Sequence, residues 1–171
     1  WTAGLLGCSG NGPTREAGTG SDTASSRADR RAWITLTPAE AIFEHPSDFL
    51  RVVISDVTGA CGYVQRNEVK AGARGVVITV QSKSVVAGTY AVNPSGMPAQ
   101  ASYMATNGAC VPLFAMIPFA QAGSSVVLSS ITQDRVEGSY ALDFGAGRTL
   151  NGDFQASRCE PLARPNPTCV P

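Results

Sequence analysis

Hydrophobic and polar positions divide this chain in two near residue 32. Residues 9–31 contain no Val, Ile, Leu, Met or aromatic side chain, whereas from Ala32 onward short β-branched and aromatic runs recur about every ten residues between Gly, Pro and Asn. This spacing is typical of the strands of an antiparallel sandwich or barrel. The predicted strands cover residues 32–37, 49–55, 75–81, 86–92, 100–106, 113–119, 125–131, 135–144 and 149–156.

Two short segments favour helix instead. Residues 38–44 (PAEAIFE) place Pro38 at a first helical position, and residues 62–72 (GYVQRNEVKAG) end at a glycine. The pattern therefore predicts an all-β, mainly antiparallel domain over residues 32–171. It would be a single sandwich or barrel-like domain of about eight or nine strands, with one or two short helices and a Pro-rich C-terminal tail.

The last two predicted strands fix their own pairing. If residues 145–147 (GAG) form a three-residue loop, Gly138 lies opposite Phe154 and Gly152 lies opposite Tyr140, so that each glycine is covered by an aromatic ring. This register places the apolar side chains on one face. Polar positions then face water, among them Asp143, Asn151 and Asp153.

The start of the chain carries a short motif. Residues 5–8 (LLGC) resemble the lipobox of bacterial lipoproteins, in which a peptidase cuts before the cysteine and the cysteine carries the lipid. We therefore expect residues 1–7 to be the remnant of a signal peptide, and Cys8 to be the lipidation site. The polar residues that follow cannot bury enough apolar surface to fold, so residues 8–31 are predicted to be lipidation site and disordered tether. The alternative is that Cys8 is an ordinary thiol or disulfide partner.

Cysteine arithmetic favours the lipid. The chain has five cysteines, an odd number for an oxidising compartment, and committing Cys8 to a lipid leaves four that can pair. The sequence allows three connectivities. We favour Cys159 with Cys169, because they close a short Pro-rich loop at the C-terminus, and Cys61 with Cys110 then follows. A zinc site is disfavoured because no close C-x-x-C pair is present.

Charge excludes some classes of partner. The chain carries 13 basic and 13 acidic residues, so it has no electrostatic footprint for nucleic acid or for an anionic membrane surface. No apolar run approaches the roughly 20 residues that a membrane-spanning helix needs. With 43% hydrophobic residues, 171 residues suffice for one sizeable core.

Four motifs together resemble a known group of proteins. They are ISDVTGAC at 54–61, GTY at 88–90, VEGSYALDF at 136–144 and LNGDFQASRC at 150–159. From about Asp48 to Cys159 the chain is similar to uncharacterised secreted lipoproteins of Gram-negative bacteria. The resemblance implies a β-rich, lipid-anchored domain of the cell envelope, and it implies no activity.

Candidate catalytic residues do not form a constellation. The chain has one histidine, His45, and no G-x-S-x-G motif, and Cys61 is more simply a disulfide half than a thiol partner of His45. Carboxylates for glycoside hydrolysis are present without a spacing that selects two of them: Asp56, Glu68, Asp143 and Asp153. We expect Asp56 to cap nearby backbone N–H groups. Four tyrosines, at 63, 90, 103 and 140, could form a sugar platform, but their positions favour the core.

Three functions follow from these observations. We predict an outer-membrane lipoprotein that is a non-catalytic binding or interaction module, without metal or cofactor. Its partners would be the membrane, through the lipid on Cys8, and a protein, glycan or small molecule. A lipocalin-like barrel that carries a small apolar ligand is the alternative, and a hydrolase is a more distant one.

Overall fold

The computed structural model of the chain describes residues 34–46, 48–82, 84–113, 118–160 and 167–171. These residues form ten strands and one short helix. The elements are β1 (Glu40–Glu44), β2 (Phe49–Ser55), α1 (Ala60–Gln65), β3 (Glu68–Lys70), β4 (Arg74–Gln81), β5 (Gly88–Ala91), β6 (Ala99–Ala105), β7 (Ser125–Ile131), β8 (Arg135–Asp143), β9 (Thr149–Arg158) and β10 (Thr168–Val170).

Eight strands form one mixed sheet in the order β5-β7-β8-β9-β1-β2-β4-β6. Neighbouring strands are antiparallel except β1 and β9, which run parallel. The sheet nearly closes on itself, because Val92 after β5 bridges to Ala99 at the start of β6, and the Asn93 N–H donates to the Ala99 carbonyl over 2.8 Å. The predicted all-β, barrel-like fold is confirmed. Strands β3 and β10 form a separate parallel pair outside the barrel.

Seven of the predicted strands are strands in the structure: β2, β4, β5, β6, β7, β8 and β9. The helix expected over 38–44 is wrong, since this segment contains β1. Strand β1 lies between β2 and β9 and has buried residues on both faces, Phe43 in the core and Ile42 and Glu44 outside it, so it shows no apolar alternation. The helix expected over 62–72 is shorter than predicted and is followed by β3.

In the other two predicted strands, 32–37 and 113–119, the described residues form no strand of the sheet, and residues 32–33 lie outside the described part of the chain. Residues 34–37 belong to no strand, although Ile34 is buried in the core. Of the segment 113–119, residues 114–117 lie outside the described residues, and Phe119 makes one isolated bridge to Ser102. Strands β3 and β10 were not predicted.

The hairpin of β8 and β9 has the predicted register. Tyr140 pairs with Gly152 and Gly138 pairs with Phe154, around a loop at residues 145–147 whose three residues all have positive φ. Tyr140 and Phe154 are buried. As predicted, the exposed positions include Asp143, Asn151 and Asp153.

The interior of the barrel is filled by side chains from all the strands of the sheet and from the segments that cap it. Tyr103 is fully buried, donates its hydroxyl to the Thr35 carbonyl over 2.9 Å, and meets the Phe144 ring edge to face, with centroids 6.1 Å apart. These contacts make the interior a packed core. Within the described residues, no helix is long and apolar enough to span a bilayer.

Candidate functional site

A groove runs across the outer face of strands β1, β2, β4 and β6. The core takes every second side chain of these strands, so the intervening residues point outward. The register places Val53 of β2 between Ile42 of β1 and Val77 of β4, and Val77 in turn lies beside Ser102 of β6. These residues form the central row of the groove floor.

Helix α1 and strand β3 stand over this floor as its walls. Tyr63 and Val64 of α1 and Val69 of β3 line the groove, which has a volume of about 530 Å³. At the β6 side the floor ends at Met104, whose surface is 48% exposed. Since Val53 and Val77 are only partly covered by the walls, the groove is a concave, mainly apolar surface that solvent reaches.

A disulfide holds each wall in place. Cys61 at the start of α1 is bonded to Cys159, which follows β9. Cys169 of β10, the partner strand of β3, is bonded to Cys110 in the loop after β6. The Glu40 carboxylate also accepts a hydrogen bond from the Ala60 N–H at the first residue of α1, over 3.0 Å.

This connectivity corrects the pairing favoured from the sequence. All four candidate cysteines are in disulfides, but the favoured pairs Cys159–Cys169 and Cys61–Cys110 are both wrong. Strand β9 pairs with β8 along one edge and with β1 along the other. The Cys159 N–H donates to the Phe43 carbonyl of β1 over 2.8 Å, and Cys159 therefore lies near the start of α1. Cys8 lies outside the described residues.

The charged side chains around the groove are mostly paired. The Arg51 guanidinium lies 2.7 Å from the Glu44 carboxylate and stacks on the Phe49 ring, with 5.0 Å to the centroid. The Arg66 guanidinium lies 2.8 Å from the Glu68 carboxylate. Neither pair leaves a net charge on the lining.

Lys70 at the end of β3 differs from these residues. Its ammonium lies 5.9 Å from the centroid of the Tyr63 ring. The Arg66 guanidinium also lies near this ring, 5.2 Å from the same centroid. Among the described residues no carboxylate forms a salt bridge with Lys70. Two lining cations, Lys70 and Arg74, therefore have no salt bridge among the described residues, and Lys70 is the one that lies beside an aromatic ring.

The candidate catalytic residues are scattered. His45 follows β1, and its backbone N–H donates to Glu160 over 3.3 Å. Cys61 is bonded to Cys159 and offers no thiol to His45. Within the described residues, no group of three or more His, Cys, Asp or Glu side chains could hold a metal ion.

The carboxylates have structural partners. Asp56 accepts a hydrogen bond from the backbone N–H of Arg74 over 2.8 Å, so it joins β4 to the end of β2 rather than capping its own turn. Asp143 accepts from the Gly145 N–H over 2.7 Å and stabilises the hairpin loop. Glu68 is paired with Arg66, and Asp153 lies exposed on β9.

The tyrosines do not form one platform. Tyr103 and Tyr140 are buried in the core, and Tyr90 packs against the core while its hydroxyl donates to the Val86 carbonyl over 2.7 Å. Tyr63 is the exception, because it lies in the wall of the groove.

Sequence reasoning missed the groove, although a signal for it exists. Strands β2 and β4 contain the continuous apolar runs 52–54 (VVI) and 76–78 (VVI), which mark strands covered on both faces. Val53 and Val77 are the outward members of these runs. The apolar runs thus locate the groove floor, but the covering elements α1 and β3 are brought over it by long-range contacts.

The chain matches no protein family, no curated protein and no solved structure in comparisons with known proteins.

Proposed function

We propose that this chain is a lipid-anchored binding module of the cell envelope of a Gram-negative bacterium, with outer-membrane sorting and no catalytic role. Support for the anchor comes from the lipobox-like residues 5–8 and the polar stretch 9–31. The two disulfides use the other four cysteines, so Cys8 is the only one left for a lipid. Disulfides are typical of compartments outside the cytosol.

The groove over β2 and β4 is the binding surface of this proposal, and it is the observation that carries the function. A concave surface of about 530 Å³ falls within the range of roughly 300 to 1,000 Å³ that small-molecule sites occupy. Its lining is mainly apolar with a few polar groups, which is also the usual composition of such sites. The ligand is therefore a small molecule with an apolar body.

A protein partner fits the groove less well. A stable protein interface buries about 800 Å² on each partner. The two walls restrict the access of so large a surface to the floor between them. The carrier hypothesis placed an apolar ligand inside the barrel, but the interior is occupied by core side chains. The proposal keeps the apolar ligand and seats it outside the barrel.

A neutral fluorescent probe, N-phenyl-1-naphthylamine, tests the groove. Fluorescence should rise as the probe binds the wild-type chain, and Ser102→Trp should weaken binding at least about tenfold by filling the floor beside Val77. Asn151→Trp is the matched control, because Asn151 is exposed on the outer face of β9 outside the groove lining. Both variants must keep the wild-type denaturant midpoint to within experimental error.

Equal binding by the wild-type chain and both variants, or no binding by any of them, would overturn the groove as the site. A separate experiment tests the anchor. Replacing Cys8 with Ser in the precursor should give an unprocessed or soluble product. A Cys8→Ser protein that still fractionates with the outer membrane would contradict lipidation at this residue.

A further inference from the structure

We infer that the ligand of the groove is a single-chain amphiphile with an anionic head group, and that Lys70 binds this head group. The inference rests on the proposed function, since it takes the groove as the binding site and adds the chemistry of its occupant. Three features of the lining carry it: the apolar central row of the floor, the single polar side chain in that row, and the positive charge of Lys70.

The floor selects an apolar chain. Val53 and Val77 lie side by side at its centre, and Met104 extends it toward the β6 side. Neighbouring strands lie about 4.8 Å apart, so the central row across the strands, from Ile42 through Val53 and Val77 to Ser102, is long enough for an extended chain. Burying these side chains under methylene groups is worth roughly 25 cal/mol for each Å² removed from water.

A carbohydrate would fit this floor poorly. A sugar carries a hydroxyl on most of its carbons, and each hydroxyl buried without a hydrogen bond is costly. The central row offers Ser102 as its one polar side chain. Gln100, at the next outward position of β6, already donates its amide to the Pro94 carbonyl over 2.9 Å. The other polar side chains of the floor lie on either side of the central row: Ser55, Arg51 and Thr79. An alkyl chain along this row brings no hydroxyl of its own that would be left unpaired.

The charge of the lining selects the head group. Arg51 forms a salt bridge with Glu44, and Glu68 forms one with Arg66. Arg74 also lines the groove and is charged, but it lies at an inward-facing position of β4 and donates its guanidinium to the Thr35 hydroxyl over 2.7 Å.

Lys70 is then the half-buried lining cation that has no salt bridge among the described residues and lies beside the ring of Tyr63. Its carbonyl is within 3.5 Å of the Thr106 hydroxyl, which also lines the groove. A carboxylate, sulfate or phosphate placed here would form a charge-assisted hydrogen bond with the ammonium, whereas a cationic head group would be repelled.

Three ligands with the same twelve-carbon chain distinguish the contribution of the head group to the affinity from that of the chain. The full-length chain is titrated with dodecanoate, dodecanol and dodecyltrimethylammonium below their micellar concentrations, by displacement of N-phenyl-1-naphthylamine. The wild-type chain should bind dodecanoate about tenfold more tightly than dodecanol, as one charge-assisted contact predicts. Dodecyltrimethylammonium should bind most weakly.

Substitution of Lys70 tests its role. Lys70→Gln should bring dodecanoate to within about twofold of dodecanol while dodecanol binding stays unchanged, and Lys70→Arg should keep the preference. Arg135→Gln is the matched control, because it removes one positive charge from β8, away from the groove. It should leave the ratio of the two affinities at the wild-type value.

The possible outcomes distinguish a failure of this inference from a failure of the proposed function. If dodecanoate and dodecanol bind the wild-type chain equally and Ser102→Trp blocks both, the groove is a binding site but the anionic head group is wrong. A dodecanoate preference that survives in Lys70→Gln would overturn the role of Lys70. If none of the three ligands displaces a probe whose binding Ser102→Trp blocks, the inference fails while the groove stands as a binding site. If the wild-type chain does not bind the probe at all, the proposed function fails and the inference with it.

Discussion

The ring of Tyr140 covers Gly152 across the hairpin of β8 and β9. The two residues are paired in register, and a Cβ atom on Gly152 would lie 2.9 Å from the phenolic oxygen. Because Gly152 has no side chain, it leaves space for the ring of Tyr140. The ring in turn shields the backbone of Gly152 from water. This relationship ties the register of the hairpin to the packing of the core.

Replacing Tyr140 with Ala should destabilise the protein strongly. The side chain is 5% exposed, so its loss leaves a cavity and uncovers Gly152, at a cost of about 3 to 5 kcal/mol in the free energy of unfolding. Asn151→Ala, on the outer face of the same hairpin, should change this free energy by no more than about 0.5 kcal/mol. Denaturant midpoints measure both, and equal losses would mean that the assignment of the two faces is wrong.

The sequence was sufficient to predict this hairpin because its information is local. The loop at 145–147 and the alternation of apolar side chains fix one register, and a slip of one residue would expose the apolar face. Strand β1 could not be found in the same way. The barrel core covers Phe43 on one face and the start of α1 packs against Ile42 on the other, so residues 40–44 show no period of two.

The groove and the disulfides depend on contacts that are distant in the sequence. Cys61 and Cys159 are separated by 98 positions, and Cys110 and Cys169 by 59. Loop length favoured the short pair Cys159–Cys169, but the parallel pairing of β9 with β1 decides which cysteines meet. The apolar runs in β2 and β4 indicate a covered outer face, yet they do not indicate what covers it.

A second glycine should tolerate no side chain. A Cβ atom on Gly138 would overlap the backbone carbonyl of Val127 in β7 and would lie 2.9 Å from the Phe154 ring. Gly138→Ala should therefore lower the free energy of unfolding by about 1 to 3 kcal/mol or more, since neighbouring strands must shift.

Gly108 is the matched control for this substitution. Nothing lies within 4 Å of a Cβ atom at Gly108, so Gly108→Ala should change the free energy of unfolding by at most about 0.5 kcal/mol. Both variants are compared by denaturant midpoint. A similar cost at the two positions would show that β7 does not approach β8 as closely as the structure has it.

Alkaline pH should destabilise the protein through its buried tyrosines. Burial raises the pKa of Tyr103, an effect that Arg74 partly opposes, and burial together with Asp153 raises the pKa of Tyr140. As pH rises through about 10, tyrosines of the unfolded chain lose their protons before the buried ones do, so the unfolded state binds fewer protons and the free energy of unfolding falls. The stabilisation is fully present below this pH.

Denaturant midpoints between pH 8 and pH 11 measure this effect. Tyr140→Phe removes one of the two raised groups, so its stability should fall less steeply with pH than that of the wild-type chain. The slopes are compared rather than the absolute midpoints, because the substitution itself changes stability. Parallel slopes in the two proteins would exclude Tyr140 as a source of the pH dependence.

The two disulfides should connect stability to ligand binding, because each ties a wall of the groove to the barrel. Replacing both Cys110 and Cys169 with Ser removes the covalent bond between β10 and the loop after β6, so the pair of β3 and β10 stays attached to the barrel only by the chain neighbours of β3 and by backbone hydrogen bonds. We expect the free energy of unfolding to fall by about 2 to 4 kcal/mol, and binding of N-phenyl-1-naphthylamine to weaken severalfold under conditions where the barrel stays folded.

Amide exchange in β2 and β4 shows whether the barrel of the double variant stays folded, since the pairing of these strands does not involve the disulfide. Peptide mapping without reductant should recover Cys61–Cys159 and Cys110–Cys169 from the wild-type chain, with no free thiol at these positions. If the double variant keeps its amide protection and also binds the probe as tightly as the wild-type chain, β3 is not a wall that the ligand needs.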